Sequence, residues 1–254
     1  MDRITINSLV EACPTEAAAY LFMVGRGARR EGVGFGFDLP GVKAAARAGA
    51  ALVVRTLALQ AVLVAATAIA SRESNAAIAA HQVAFRIWNL LALALDAIAI
   101  AAQAITGKYL GAGDVAGARA ATRLMIWWGL GCGVVFGALL LAARPFLPGL
   151  FAAAPPVARL LLVVLFVVVA EQPVAGVVFV LDGVLIGAGD QNYLAIAGLI
   201  TTAVFAVAAW IDVRTGAGLL GLWFAISAWL AARFITLTWR AHGSAWLVTG
   251  AVRA

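Results

Sequence analysis

The residues from Ala76 to Gly107, AAIAAHQVAFRIWNLLALALDAIAIAAQAITG, combine an apolar run long enough to cross a bilayer with His81, Gln82, Arg86, Asp96 and Gln103. A hydrocarbon core of about 30 Å needs roughly 20 apolar residues, and a charge near its middle costs at least about 2.5 kcal/mol. Groups retained there can bind and release a proton or sodium ion, pair with one another, or line a polar path for a solute. Other apolar runs carry Arg55, Glu171, Asp182 and Arg233, which extend the set to three acids and three arginines.

Depth sorts these charges. At about 1.5 Å per residue from the nearest helix end, Arg55, Asp96, Asp182 and Arg233 fall roughly 6–15 Å from one side, whereas His81, Arg86 and Glu171 lie toward the other. Arg55, Arg86 and Arg233 balance Asp96, Glu171 and Asp182, so the set is neutral if the pairs meet inside a bundle. Asp96 and Asp182 lead as ion-coupling or gating candidates, followed by Glu171 and the three arginines. Packing clamps are the plainer alternative for each residue. Glu171-Gln172-Pro173 places a helix breaker beside a buried acid, which frees backbone carbonyls to line a cavity or form a hinge. His81, Gln82, Gln103, Trp88 and Gln172 are the cavity or substrate-path candidates.

The elements that position these residues follow from composition. Hydrophobic residues make up 64% of the 254 and charged residues only 12%, and mean hydropathy is +1.01. An integral membrane protein is implied. Apolar runs of spanning length fall at about 48–70, 76–106, 124–143, 160–186, 194–211 and 217–239. They are continuous, not the roughly ten-residue alternating segments of a barrel, so the expected fold class is an all-α transmembrane bundle of six helices.

Residues 1–25 read as an atypical N-terminal segment, compatible with the remnant of a preceding helix; Asp2, Glu11 and Glu16 disfavour a signal peptide. Residues 26–47 read as a basic, Gly-rich cytoplasmic linker, 48–240 as the six-helix lobe, and 241–254 as a cytoplasmic tail. GVGFGF in the linker lacks the GK[ST] of a phosphate loop. Connections on one side carry ten basic residues (Arg26, Arg29, Arg30, Lys43, Arg47, Lys108, Arg119, Arg123, Arg240, Arg253) and those on the other carry four (Arg72, Arg144, Arg159, Arg214). Positive charge is retained in the cytoplasm, so both termini are expected there and the net charge of +6 is explained by topology, not by nucleic acid.

Several features are read as packing or punctuation. Gly129, Gly133 and Gly137 form a GxxxGxxxG face for close helix approach. Trp127, Trp128 and Trp239 suit interfacial anchoring, and Trp88 and Trp229 suit the interior. Cys13 and Cys132 are too far apart in sequence to form a ligand motif, and Cys132 reads as a small buried apolar residue. LGAGD at 110–114 and IGAGD at 186–190 predict helix ends with a left-handed glycine and an aspartate cap for the next helix. No HExxH, GxSxG or nucleotide signature supports an enzyme, no metal site or cofactor beyond a coupling ion is expected, and a non-transporting membrane assembly subunit is the competing class.

Four strings then occur in order: AHQV at 80–83, LDAIAIAAQA at 95–104, GAGD at 111–114 and VLDGVLIGAGD at 180–190. On these the chain resembles the multidrug and toxic compound extrusion (MATE) transporters, in the branch named for the DNA-damage-inducible protein F, from about Arg26 onward. The helix spacing is similar to that of the family's C-terminal half. The resemblance implies one six-helix lobe of a twelve-helix antiporter that exchanges protons or sodium ions for bulky amphiphilic or cationic compounds across the plasma membrane. It implies the bilayer and a second lobe, either an N-terminal half or a homodimer partner, as partners. It also implies, as an alternative, a truncated and inactive remnant. The branch's established cation-binding acid lies in the other lobe, and the stretch Pro173 to Gly176, matched to an acid-bearing site of another branch, has none. By that comparison Asp182 would gate or stabilise the lobe.

Overall fold

Apolar length and polar punctuation together set the helix boundaries. The computed structural model describes residues 39–249. In chain order the helices are α1 (Leu39–Glu73), α2 (Asn75–Gly111), α3 (Val115–Ala143), the single turn α4 (Leu147–Leu150), α5 (Pro155–Gly187), α6 (Gln191–Thr215) and α7 (Gly218–His242). Six of them, all but α4, are long and apolar enough to cross a membrane, and no strand occurs among the described residues. Residues 1–38 and 250–254, which include the expected N-terminal segment, most of the linker and the end of the tail, lie outside the described residues.

The helices outrun the apolar windows because polar residues at membrane-water boundaries still complete the backbone ladder. Helix α1 begins nine residues before the apolar run at 48, and α3 begins nine before the run at 124. The break between α1 and α2 is one residue wide: Ser74 is extended, and its side chain accepts from the Ala77 amide at 3.0 Å. At the paired GAGD motifs, Gly113 and Gly189 adopt φ of +77° and +72°, as a left-handed helix end requires.

Helix α5 is the axis of the lobe. Over half of its most apolar window is buried, and it packs against α2, α3 and α7, while α6 packs mainly on α7. Between lipid-embedded helices there is no hydrophobic drive, so close approach depends on small residues. A Cβ on Gly133 would strike the Gln172 carbonyl, one on Gly176 the Gly129 carbonyl, and one on Gly183 the Ala99 carbonyl. The expected glycine face of α3 is therefore real, and its counterpart is the backbone of α5. Pro173 lies within α5 without ending it. The expected break is absent because the helix continues on both sides, and the Gln172 side-chain amide donates to the Val168 carbonyl at 3.3 Å. Trp88 and Trp229 are buried, Trp127, Trp128 and Trp239 are exposed, and Cys132 is only half-buried against the core.

Candidate functional site

Three of the predicted charges meet. Asp182 on α5 is held between Arg55 of α1 and Arg233 of α7, whose Nη2 donates to Oδ2 at 2.5 Å while Arg55 donates to the same oxygen. The Arg233 guanidinium also lies 5.1 Å from the Trp229 ring centroid, a cation–π contact that takes up part of its remaining charge. The space around this group is about 10 Å³, room for one water at most. A carboxylate shared by two guanidiniums joins three helices and has no room for a solute.

The other charges do not join this pairing. Asp96 acts electrostatically on Arg233 but is exposed on α2, and Arg86 is exposed as well. Neither takes part in an ion pair among the described residues. The expected neutral set is thus divided in three: a triad of net charge +1, an outward-facing Asp96 and Arg86, and Glu171 buried apart from both.

A second polar group lies deeper in the bundle. Glu171 is 6% exposed, and its Oε1 accepts from the Ser227 hydroxyl, which also donates to the Trp223 carbonyl at 3.0 Å. Its Oε2 is buried without a partner, as are Gln172 Oε1 and His81 Nδ1. His81 is fully buried, with Nε2 3.4 Å from the Thr67 hydroxyl and its ring stacked on Phe85 at 5.8 Å. Trp223 lies at the same centroid distance from His81, so one residue meets Ser227 through its backbone carbonyl and the imidazole through its ring. Among the described residues no cation pairs with Glu171, and an ionised, unpaired carboxylate in such a place costs several kcal/mol. The arrangement accommodates the neutral acid. Ser227 and Thr67 were not singled out in the sequence, because a hydroxyl on an apolar helix gives no periodic signal.

The outer surfaces of the helices differ in kind. The exposed side chains of α6 include Ile196, Leu199, Ile200, Val207 and Trp210, all suited to lipid. On α2, Gln82, Arg86, Asn89, Asp96 and Gln103 recur at spacings that place them within about 100° of arc, and all five are exposed or half-exposed. Thr56, Gln60, Thr67 and Ser71 form a matching stripe on α1, likewise exposed or half-exposed. Between the two helices an open cleft of about 590 Å³ is lined by Gln60, Thr67, Ser71, Phe85 and Asn89, among others. Four of the sequence candidates, Gln82, Arg86, Asp96 and Gln103, belong to this face. Gln60 and Asn89 were missed, and their signal was the helical register they share with the charged residues.

At the end of the lobe that carries the 187–191 connection, Arg240 forms a two-point pair with Asp190: Nε to Oδ2 is 2.6 Å and Nη2 to Oδ1 is 3.2 Å. This overturns the expectation of an aspartate cap for α6, since the carboxylate turns to a guanidinium and makes no capping bond. Asp114 does cap α3, accepting from the Gly117 amide at 2.7 Å.

Comparison with known proteins gives one consistent result. The MatE family model matches residues 51–211. Protein DETOXIFICATION 42 of Arabidopsis thaliana is 30% identical over 192 residues, which cover 76% of this chain and 37% of that protein. The multidrug resistance protein NorM of Burkholderia vietnamiensis is 28% identical over 173 residues, 65% of this chain and 37% of its own length. The chain thus spans little more than a third of these relatives. Among solved structures, an outward-facing multidrug resistance MATE family transporter superposes with a TM-score of 0.70 at 21% identity, over 79% of this chain and 44% of the other. A transporter of the MOP superfamily from Pyrococcus furiosus gives 0.69 at 20% identity, over 82% and 47%.

Proposed function

This chain belongs to the MatE family, and on that premise we propose that it is one lobe of a cation-coupled exporter of bulky amphiphilic or cationic compounds. The observation that carries the reading is the polar face of α1 and α2. Arg86, Asp96 and Gln103 are exposed on a helix of spanning length, and such residues belong against protein or a water-filled cavity, not against lipid. A second six-helix lobe opposite this face would enclose a path in which apolar Leu93 and Ile100 alternate with polar groups. That mixture suits an amphiphile.

In this reading the charges have separate roles. Glu171, buried beside Ser227 and in no ion pair among the described residues, is the site that takes up and releases a coupling proton. Asp182, with its two arginines, is a clamp whose opening would let α1 and α7 move apart. A proton is favoured over sodium because the side chain that meets Glu171 is one serine hydroxyl, not the several oxygen ligands that a metal cation needs. The excess of basic residues at the 111–115 and 187–191 end supports an orientation with both termini cytoplasmic, and this reading assigns the chain to the plasma membrane.

Deleting the reading frame in its native host should raise retention of a fluorescent cationic dye, and restoring it should lower retention again. Restoring it with Glu171→Gln should leave the dye inside. Equal retention in the deleted and restored strains would overturn the exporter reading and favour a packing subunit.

A further inference from the structure

A groove on another side of the lobe shares no lining residue with α1 or α2. Its walls are α3 and α7, its floor is α5, and Trp246 closes one end; its volume is about 570 Å³. That lies within the range of roughly 300–1,000 Å³ typical of a small-molecule site. The interior is apolar, with Val174, Val177, Ile126, Leu130 and Phe234 among its residues. Arg119 and Arg123, also part of the lining, are four residues apart on α3 and so share a helix face. Both are exposed, and neither joins an ion pair among the described residues, unlike Arg55, Arg233 and Arg240.

The threonines of the lining offer a head group little: the Thr122 hydroxyl is satisfied by the Ala118 carbonyl at 2.8 Å, and Thr238 Oγ1 is buried. The groove therefore offers two uncommitted guanidiniums at one end and an apolar slot leading from them. Guanidinium forks match the geometry of phosphate oxygens, and basic pockets between membrane helices on the cytoplasmic side suit anionic head groups. The sign of the charge also argues against the cationic compounds proposed as cargo.

We propose that this groove binds one anionic phospholipid of the surrounding bilayer, with its phosphate on Arg119 and Arg123 and an acyl chain along α5, bridging α3 and α7. The proposal goes beyond the exporter reading and does not depend on it.

Native mass spectrometry of the full chain with phosphatidylglycerol and phosphatidylcholine of equal chain length tests it. One phosphatidylglycerol should be retained, about tenfold more tightly than phosphatidylcholine. Arg119→Gln with Arg123→Gln should weaken it by roughly thirtyfold, at about 1 kcal/mol for each arginine removed. The charge-matched pair Arg72→Gln with Arg159→Gln, exposed at the other end, should leave it unchanged. Ile126→Trp, which fills the slot and keeps both arginines, should also abolish retention. Equal retention of the two lipids, or equal loss in the charge-matched control, would overturn the proposal. Displacement of the lipid by tetraphenylphosphonium would reassign the groove to cargo.

Discussion

Arg233 Nη2 donates to Asp182 Oδ2 at 2.5 Å, and the oxygen that receives it also receives Arg55. One carboxylate is therefore shared by two guanidiniums from helices far apart in sequence, and the group keeps a net charge of +1. Removing one arginine leaves a neutral pair, whereas removing the acid leaves two like charges without a partner.

Asp182→Asn should accordingly destabilise the lobe by about 3–5 kcal/mol, the range for a buried charge stripped of its partner. Arg55→Gln should cost clearly less. Denaturation midpoints in detergent give the ranking, and an Arg55→Gln loss as large as that of Asp182→Asn would refute the shared-oxygen account.

Gly133→Ala should force α3 away from α5, because the new methyl would meet the Gln172 carbonyl; overpacking of this kind costs about 1–3 kcal/mol. Gly131, with nothing within 4 Å of the same modification, should tolerate alanine and gain up to about 1 kcal/mol of helix propensity. Thermal unfolding of the two variants side by side decides the matter. Equal midpoints would mean that the helices are not in backbone contact.

Glu171→Gln should change stability by less than about 1 kcal/mol, since the amide oxygen still accepts from the Ser227 hydroxyl and no ion pair among the described residues is lost. A loss above about 2 kcal/mol would show that the carboxylate is ionised and paired.

A cysteine at Gln103 should react with a membrane-impermeant maleimide, while one at Leu199, exposed on α6 among apolar neighbours, should not. Reaction at both positions or at neither would remove the distinction between polar and lipid faces.

Asp190→Asn should cost about 1–3 kcal/mol, because Asp190 is only 3% exposed and the change weakens its two-point pair with Arg240. Asp114→Ala, exposed at the start of α3, should cost about 1 kcal/mol through loss of the α3 cap. Helix content measured by circular dichroism through a thermal ramp separates the two, and a smaller loss from the Asp190 change would show that its pair with Arg240 is not a structural clamp.

What was legible in the sequence divides by dimension. Counting residues along a helix gives depth, so Arg55, Asp182 and Arg233 were placed in one layer, and the structure joins them. Asp96 was placed in that layer too, yet it faces outward, because depth says nothing about the direction in which a residue points around the helix. That direction emerges only when several residues share a register, as Gln82, Arg86, Asn89, Asp96 and Gln103 do. The Ser227 partner of Glu171 stayed hidden because their contact depends on the mutual rotation of α5 and α7. Asp190 shows a further limit: a local motif repeated at 111–114 and 187–190 places both glycines correctly, but a distant Arg240 changes what the second aspartate does.

The glycine contacts of α5 also have a mechanical meaning. Helices that touch backbone to backbone have no side chains to rearrange between them, so α2, α3 and α5 can only travel as one rigid block. Helix α1 is joined to α5 and α6 through the Arg55–Asp182 pair and the bond from the Thr202 hydroxyl to the Ala58 carbonyl, 3.1 Å long. Such links can be broken and remade without prising apart a steric fit. Helix α1 can thereby shift against the α2–α3–α5 block while the block itself stays intact, a latch on a stiff frame.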